Sequence, residues 1–262
     1  MFYITLKKYF LSKTCFFYVK CYFWRGCVDS LLGEFMYVNG LKRVVDFICA
    51  LAAICCLSPL LLLLAFLGTI IMRGNPFFTQ PRPGKDEKIF KLVKFRTMTN
   101  ERDADGNLLP DEKRLNRYGR FLRSTSLDEL PELFNILKGD MSVIGPRPQL
   151  VRDLVFMTPE QRKRHCVRQG LSGLAQINGR NAVSWETKID YDLKYIEHIT
   201  FWGDIKIILA TFHKAFVRAD VVEENSHTAT DLGDYLLASG KITLEQYNRG
   251  QEYAKRLIAE AG

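Results

Sequence analysis

One uncharged segment limits what this chain can fold into more than any other feature. No charged residue occurs from Phe47 to Met72, a run of 26 residues, and about 20 apolar residues are enough to cross the hydrocarbon core of a bilayer. Ser58 and Pro59 lie near its middle. Proline removes a backbone donor, clashes with the carbonyl four residues back and pushes the preceding residue away from helical geometry. The sequence therefore predicts a membrane anchor of two apolar half-helices that meet at a kink or break.

Basic residues flank this apolar segment on both sides. Lys42 and Arg43 precede it and Arg73 follows it, and basic residues usually mark the cytoplasmic side of a membrane segment. Two topologies are open: a kinked helix that crosses the membrane once, and a re-entrant hairpin that dips into one leaflet and returns to the cytoplasm. For the residues taken alone, the crossing helix is the default expectation and the hairpin is the alternative.

The composition is that of a folded protein. Hydrophobic residues make up 47% of the 262 residues, charged residues 25%, and the mean hydropathy is −0.07. These values argue against intrinsic disorder and against a polytopic transporter. The formal net charge of +8 fits nucleic acid, anionic lipid or a phosphorylated substrate as partner. Seven cysteines, an odd number without a C-x-x-C pair, favour a reducing cytoplasmic location for the soluble part.

The chain divides into four parts. Residues 1–35 are rich in aromatic side chains and are either an extension upstream of a start at Met36 or an aromatic interfacial anchor. Residues 36–74 form the membrane anchor, and residues 75–230 have the composition of a soluble domain. Residues 231–262 form a helical extension, in which a T-x-x-Q capping pattern marks the start of a second helix.

Periodic patterns predict the elements of the soluble domain. Lys88 to Phe95 alternates with period two and predicts a short, half-buried strand. Helices are predicted at Leu115 to Leu122 and at Leu127 to Leu137. Phe201 to Val217 is an apolar, amphipathic helix that either packs on the domain or lies on the membrane surface. The predicted fold class is α+β, mainly α-helical with short β elements.

Arginines recur at every third position beside the first of these helices. They are Arg114, Arg117, Arg120 and Arg123, and this spacing puts them along one side of a helix. A solvated face is the usual explanation. Because few acidic residues are placed to pair with them, anionic headgroups or a diphosphate are the alternative.

Two adjacent carboxylates stand out against this basic background. Asp128 and Glu129 lie near a predicted helix start, either capped by Ser126 or begun by Pro131. A helix start stabilises anions and offers backbone N–H groups to a phosphate. An ionised aspartate can attack phosphorus to form an acyl phosphate, and Mg²⁺ would offset its repulsion from an anionic diphosphate. Most acidic pairs of this kind are ordinary first-turn residues, so the pair alone does not establish catalysis.

Three longer strings add context to the carboxylates. FTQPRPGKDEKIFKLVKFRTM, LRSTSLDELPELFNILKGDMSVIGPRP and GLSGLAQINGRN follow in this order after the Ser-Pro segment. Together they resemble the bacterial sugar transferase family, the monotopic phosphoglycosyl transferases, and most closely its small, single-domain members. The resemblance covers about residues 36–230.

The resemblance implies a reaction. Members of this family move a sugar-1-phosphate from a UDP-sugar to a polyprenol phosphate, usually undecaprenyl phosphate, and release UMP. Asp128 matches the family's nucleophile, which forms a covalent phosphosugar intermediate and at which Mg²⁺ is expected. Glu129 would position or deprotonate the acceptor phosphate. The short members point to an N-acetylated amino sugar as the group transferred.

The resemblance also implies a set of substrate-binding residues. Cationic side chains would face the diphosphate or the nucleotide, in agreement with the preference of phosphate oxygens for charged N–H donors. Pro146 would stiffen the loop that presents one of them. The cations are Lys94, Arg96, Arg123, Arg147 and Arg180.

The topology expected from the residues alone is reversed by the resemblance. In this family a Ser-Pro step, matched by Ser58 and Pro59, creates a re-entrant helix-break-helix anchor that enters and leaves through the cytoplasmic leaflet. Amphipathic interfacial helices and a compact cytoplasmic catalytic domain accompany it. The implied location is the bacterial inner membrane, where a soluble donor and a lipid phosphate meet at the headgroup plane.

The expected partners follow from this reaction. They are the UDP-sugar donor, undecaprenyl phosphate and membrane lipids, with a homodimer or a pathway glycosyltransferase as protein partner and no nucleic acid. The alternative function is a membrane-tethered basic scaffold that binds nucleic acid or lipid without catalysis.

Two features depart from the family pattern. Gln169 and Gly170 stand where the family usually has Pro-Gly, which predicts a less rigid turn. Residues from about Asp231 onward exceed the small members and weakly resemble the helical interaction modules of secretion ATPases. The plain alternative is a solvated helical tail that packs on its own domain or on a second copy.

Overall fold

A computed structural model describes residues 34–179, 184–217 and 230–261. Arg180 and nearly all of the N-terminal extension lie outside the described residues. The strands are β1 (Phe77–Pro83), β2 (Ile89–Phe95), β3 (Met141–Ile144) and β4 (Gln169–Ser172). The helices are α1 (Glu34–Ile71), α2 (Asp111–Arg114), α3 (Arg117–Thr125), α4 (Glu132–Lys138), α5 (Val151–Leu154), α6 (Pro159–Arg162), α7 (Leu174–Asn178), α8 (Trp185–Glu197), α9 (Phe201–Val217), α10 (Leu232–Ala238) and α11 (Leu244–Ala261). The fold is mainly helical with short strands, as predicted.

Helix α1 contains the uncharged segment and is long and apolar enough to cross a membrane. Its backbone stays helical through Ser58 and Pro59. Of the expected kink or break, a break in the helix is therefore wrong, and the kink and the re-entrant course stay predictions. Pro59 has no N–H to donate to the carbonyl of Cys55, four residues back. The hydroxyl of Ser58 donates to that carbonyl instead, at 2.9 Å, which satisfies the acceptor that proline would otherwise leave unpaired.

Both halves of α1 pack against the rest of the protein. In the first half, Ala50 is completely buried in a cluster with Leu92 and Ile136. In the second half, Leu64 is buried against Leu122 of α3 and other residues, and its carbonyl accepts a hydrogen bond from the hydroxyl of Tyr118 at 2.7 Å. The domain therefore lies along the helix rather than beyond one of its ends.

Polar side chains fasten the start of α1 to the domain. Lys42 pairs with the buried carboxylate of Asp204 in α9 at 2.5 Å. Asp46 is also buried and accepts a hydrogen bond from the Ser142 hydroxyl at 2.7 Å. Arg43 donates to two carbonyls at the end of α4, at 2.6 and 2.7 Å. Because these charges are paired or hydrogen-bonded with the domain, they fix how α1 sits on it.

Two small sheets carry the site. Strands β1 and β2 form an antiparallel hairpin, and β2 confirms the strand predicted from the period-two pattern. Strands β3 and β4 are parallel, with Met141 opposite Gln169. The expected loose turn at Gln169 and Gly170 is wrong, since both residues lie inside β4 and Gln169 is fully buried. A Cβ on Gly170 would lie 2.1 Å from the backbone nitrogen of Gly145, so only glycine allows this approach.

The predicted arginine stripe is divided between two helices. Arg114 belongs to α2, and α3 begins only at Arg117, because Leu115 between them is extended. Arg114 donates to the carbonyl of Thr99 at 2.9 Å, and Arg120 to that of Leu115 at 2.9 Å. The four arginines therefore do not form one continuous face.

The helix predicted from Leu127 is also shorter than expected. Residues Leu127–Glu129 form a 3-10 turn, and α4 follows with Pro131 as its N-cap. Ser126 has φ of 56° and ends α3 in the left-handed conformation, so it cannot be the extended N-cap of a capping box, and that prediction is wrong. The alternative start at Pro131 is confirmed.

Helix α9 has the bounds that the sequence predicts, Phe201–Val217. It packs on the domain through Asp204 and the buried Ile207. Its other side chains leave an apolar surface, with Trp202 71% and Phe212 61% exposed. The predicted packing on the domain is thus a feature of this helix, and the predicted position on the membrane surface stays a prediction.

Candidate active site

The predicted carboxylate pair lies on the 3-10 turn between α3 and α4. This turn faces the end of β2, which carries Lys94, and the loop after β3, which carries Arg147. The site is therefore assembled from three neighbouring pieces of chain. The structure brings together Asp128, Glu129, Lys94 and Arg147, as the sequence predicts.

Glu129 is the most heavily paired group of the site. Its Oε1 lies 2.8 Å from Nζ of Lys94 and 2.5 Å from Nη2 of Arg147. Burial raises the pKa of Glu129, but the positive charges of Arg147 and Lys94 more than offset it and hold the pKa well below its usual range. Glu129 is thus an ionised carboxylate that keeps two cations in the site.

Glu132 is a site residue that sequence reasoning missed. It is only 3% exposed, and its Oε1 lies 3.1 Å from Nζ of Lys94. Burial raises its pKa to about 7, Lys94 lowers it and the charge of Glu129 raises it further. The available signal was its spacing, because residues three apart from Glu129 at a helix start fall on a shared face.

Asp128 differs from its neighbour. It is half-buried, and among the described residues none donates a hydrogen bond to its carboxylate. Burial raises the pKa of Asp128, and the charge of Glu129 adds to the rise. The positive charges of Lys94, Arg147 and Arg123 lower this pKa and offset part of the rise. A carboxylate without a bound donor has lone pairs free for a metal ion or for attack on an electrophile.

The loop that presents Arg147 is fixed from behind. Pro146 is fully buried, and its carbonyl accepts a hydrogen bond from the N–H of Gly170 at 2.8 Å. The carbonyl of Arg147 accepts one from Nη2 of Arg164 at 2.7 Å. Arg164 is completely buried and pairs with Asp192 of α8 at 2.7 Å. Arg147 itself is 42% exposed at its side chain, so a rigid backbone holds an accessible guanidinium.

The other predicted cations are placed less directly. Arg123 donates from Nε to the hydroxyl of Thr97 at 3.1 Å and acts on Asp128 through its charge. Arg96 directly follows β2 and is half-buried, and in the described chain it forms no ion pair with the site carboxylates. Arg180 falls outside the described residues, so its predicted role stays a prediction.

Arg82 is a second residue that sequence reasoning missed. Its guanidinium donates to Gln80 at 2.7 Å and to the carbonyl of Pro148 at 3.3 Å. Burial lowers its pKa to about 10, and the charge of Arg147 lowers it further. The charges of Arg147 and Glu132 thus both act on Arg82, and two arginine charges in one place favour an anion there. The signal was the Pro-Arg-Pro of the first string, which resembles the Pro-Arg-Pro around Arg147.

The donor set fits a magnesium ion that depends on its substrate. Mg²⁺ is usually held by one or two carboxylates together with substrate phosphates and water. Asp128 supplies one unengaged carboxylate, whereas Glu129 is occupied by cations. In the described parts of the chain no group of three or more metal-binding side chains occurs. The residues therefore fit a cation shared with a diphosphate rather than one enclosed by protein.

Comparison with known proteins agrees with this chemistry. The family model of bacterial sugar transferases matches residues 37–218. An uncharacterized sugar transferase of Bacillus subtilis (strain 168), EpsL, is 47% identical over 189 residues, which are 72% of this chain and 94% of that protein.

Two relatives with more specific names match the same part of the chain. A UDP-glucose:undecaprenyl-phosphate glucose-1-phosphate transferase of Klebsiella pneumoniae is 40% identical over 186 residues, 67% of this chain and 40% of that protein. A UDP-N-acetylgalactosamine-undecaprenyl-phosphate N-acetylgalactosaminephosphotransferase of Aeromonas hydrophila is 38% identical over 192 residues, 70% of this chain and 45% of that protein. The chain spans less than half the length of these two relatives but nearly all of the Bacillus protein.

Proposed function

The chain belongs to the bacterial sugar transferase family, and we propose that it moves a sugar-1-phosphate from a UDP-sugar to undecaprenyl phosphate at a membrane surface. The names of the Klebsiella and Aeromonas relatives state this reaction for those proteins. The observation that carries the proposal is the unengaged carboxylate of Asp128 beside Glu129, Lys94 and Arg147.

Asp128 is the proposed nucleophile. Its carboxylate oxygen attacks the β-phosphorus of the UDP-sugar, an Asp–O–P bond forms, and the bond from that phosphorus to the bridging oxygen breaks so that UMP leaves. An oxygen of the undecaprenyl phosphate then attacks the same phosphorus and releases Asp128. Of the two roles expected for Glu129, positioning the acceptor phosphate fits its low pKa, whereas a carboxylate held ionised in this way is a weak base for taking a proton.

The cations serve the phosphates in this scheme. Lys94 and Arg147 form ion pairs with Glu129 in the structure. The oxygens of a donor diphosphate would compete with Glu129 for the same N–H groups. Arg82 and Arg123 add positive charge around them. Magnesium held by Asp128 and the diphosphate would supply further charge neutralisation when bound.

The proposed anchor is monotopic, with α1 in the cytoplasmic leaflet and the catalytic domain on the cytoplasmic face. If α1 crossed the bilayer, the domain that packs along both of its halves would have to enter the hydrocarbon core. Lys42 pairs with the domain at one end of α1, and Tyr118 bonds to it near the other. Exposed apolar side chains remain on α1 to meet lipid, among them Leu62, Phe66 and Ile70.

For the transferred group we retain an N-acetylated amino sugar. The named relatives use different sugars, glucose in Klebsiella and N-acetylgalactosamine in Aeromonas, so the family alone does not choose. A panel of UDP-sugars assayed for UMP release would decide it. Faster release from UDP-glucose than from every N-acetylated donor would overturn this choice and leave the reaction itself standing.

The reaction is tested by UMP release from UDP-sugar, undecaprenyl phosphate and Mg²⁺. We expect wild-type protein to release UMP and to gain the mass of one sugar phosphate when the acceptor is omitted. Asp128→Asn removes both signals, and the control Asp105→Asn, in the exposed loop after β2, leaves both intact. Full activity of Asp128→Asn would exclude Asp128 as nucleophile, and absence of UMP release with every donor would exclude the reaction.

A further inference from the structure

The C-terminal helical pair, defined as residues 230–261 with α10 and α11, follows the part of the chain that matches the family. We propose that this pair is a positioning element that holds the Arg147 loop in place for the donor diphosphate. The inference rests on the proposed function, and it goes beyond it by assigning a role to a segment outside the family match. Two routes of contact lead from the helical pair to Arg147.

The first route passes through Asp153 in α5. The N–H of Leu232 donates to Oδ1 of Asp153 at 2.9 Å, and the N–H of Leu150 donates to Oδ2 at 3.0 Å. Asp153 is only 1% exposed, so its carboxylate depends on these two N–H groups. Since Leu150 follows Arg147 by three residues, α10 holds the outgoing end of the Arg147 loop.

The second route passes through α8. Nε1 of Trp185, the first residue of α8, donates to the carbonyl of Thr230 at 2.9 Å. The same helix carries Asp192, which pairs with the buried Arg164. Arg164 donates to the carbonyl of Arg147. The helical pair thus also supports the helix that fixes the loop from behind.

A close contact around Phe156 joins the C-terminal helical pair to the domain. Phe156 follows α5, and its ring stacks on Tyr247 of α11 with centroids 5.9 Å apart. A Cβ on Gly233 of α10 or on Gly250 of α11 would come within 2.5 Å of a ring atom of Phe156. The ring therefore fits a hole that only glycine leaves open, and Arg152 and Asp231 form an ion pair beside it. Such a close fit is typical of a packed protein interior and not of a solvated tail.

The Phe156 contact offers a matched set of variants. Gly250→Leu places a side chain against the Phe156 ring while improving the helix propensity of α11, so loss of docking is its main effect. Asn248→Leu adds the same side chain at an exposed position of α11 and serves as control. Phe156→Ala combined with Gly250→Leu vacates the space that leucine needs and should restore docking. Asp231→Asn removes the Arg152 ion pair without adding volume.

Three measurements separate positioning from mere stabilisation. They are the Kd for UDP by titration, KM and kcat for UMP release, and hydrogen exchange of residues 146–154. We expect Gly250→Leu to raise the Kd for UDP and the donor KM about tenfold and to leave kcat nearly unchanged. A tenfold change is the loss of affinity expected when one charge-assisted hydrogen bond to phosphate is removed. Exchange at 146–154 should rise in parallel, Asn248→Leu should match wild type, and the double variant should recover.

The outcomes distinguish the two proposals. If α11 undocks in Gly250→Leu but the Kd for UDP and exchange at 146–154 stay at wild-type values, the positioning role is wrong. Equal losses in kcat and in folded protein, without a change in KM, would likewise show a structural role only. If Gly250→Leu does not fold, Asp231→Asn is judged by the same criteria. Wild-type protein that binds UDP but never releases UMP would overturn the proposed function and leave the positioning inference supported by the Kd values.

Discussion

At the scale of single residues, one lysine serves two glutamates with opposite pKa shifts. Nζ of Lys94 lies 2.8 Å from Glu129 and 3.1 Å from Glu132. Arg147 forms a direct ion pair with Glu129, whereas it acts on Glu132 through its charge alone. Glu129 is therefore held ionised while the pKa of the buried Glu132 rises to about 7. Burial without a full share of positive charge favours the protonated carboxyl. The negative charge of the site therefore changes near neutral pH.

This arrangement predicts a pH-dependent effect of Glu132→Gln on stability. The pKa of Glu132 is about 7 in the folded protein against an ordinary 4.5, so the folded state binds more protons from this group between these values. Its contribution to stability is therefore present at acidic pH and is lost as the pH rises toward 7 and above. Glutamine does not titrate, so the difference in Tm between the variant and wild type should move in favour of the variant from pH 5 to pH 8.

Thermal unfolding at several pH values measures this difference. Glu112→Gln, at an exposed position of α2, is the control and should show a nearly constant difference. If the Tm difference of Glu132→Gln stays flat across the same range, Glu132 does not titrate as described.

The residues also show why the sequence predicts only part of the site. Asp128, Glu129, Lys94 and Arg147 were predicted from motif resemblance, and the structure brings them together. Glu132 and Arg82 were missed although spacing and a repeated Pro-Arg-Pro marked them, because neither signal tells a buried charge from an exposed one. Their burial is set by residues far along the chain, as the contact of Arg82 with Pro148 shows.

At the scale of elements, the Ser58–Pro59 step decides how α1 is built. A proline inside a helix leaves one carbonyl without its N–H partner, and here the hydroxyl of Ser58 bonds to that carbonyl, which belongs to Cys55. Local rules for proline predicted a kink or a break. The backbone stays helical here, and the Ser58 side chain supplies the donor that proline lacks, a compensation also open to serine in membrane helices.

Ser58→Ala should therefore destabilise α1. Removing the hydroxyl leaves the Cys55 carbonyl unpaired in an apolar setting, which costs about 1–3 kcal/mol. Thr69→Val is a matched control, because Thr69 makes the same kind of bond to the Ala65 carbonyl, which keeps its ordinary backbone partner. The free energy of unfolding in detergent micelles is the measurement. Adding Pro59→Ala to Ser58→Ala restores the backbone donor and should recover most of the loss, whereas equal effects of Ser58→Ala and Thr69→Val would contradict this account.

Other elements follow the sequence to different degrees. Strand β2 and helix α9 have long, regular patterns and nearly the predicted bounds. The helix predicted at Leu127 begins later, because Ser126 adopts a left-handed conformation to end α3. That conformation is imposed by how α3 and the 3-10 turn meet, and no local pattern encodes it. The capping box of α11 was predicted correctly, with Thr243 and Gln246 exchanging hydrogen bonds at 2.8 and 3.2 Å, since both partners lie within one turn.

At the scale of the whole molecule, two long-range attachments hold the site. Helix α1 is fastened by Lys42, Arg43 and Asp46 on one side, and the C-terminal helical pair is fastened around Phe156 on another. The charges of Lys42, Arg43 and Asp46 are paired or hydrogen-bonded within the domain. The outer apolar side chains of α1 and α9 are exposed. Apolar surface of this extent, next to a helix long and apolar enough to cross a membrane, indicates contact with a bilayer.

The last prediction concerns the topology of α1 in the membrane. Because the domain packs along both halves of α1, we expect both ends of α1 to be accessible from the same, cytoplasmic side. Asn39→Cys and Gly74→Cys probe these ends in a chain whose native cysteines are replaced. Asn39 is exposed, and a Cβ on Gly74 meets no atom within 4 Å, so neither change disturbs packing. A membrane-impermeant thiol reagent should label both positions in inside-out vesicles and neither in intact spheroplasts. Labelling of the two positions from opposite sides would show a crossing helix, and the packing of the domain along α1 would then have to differ in the membrane.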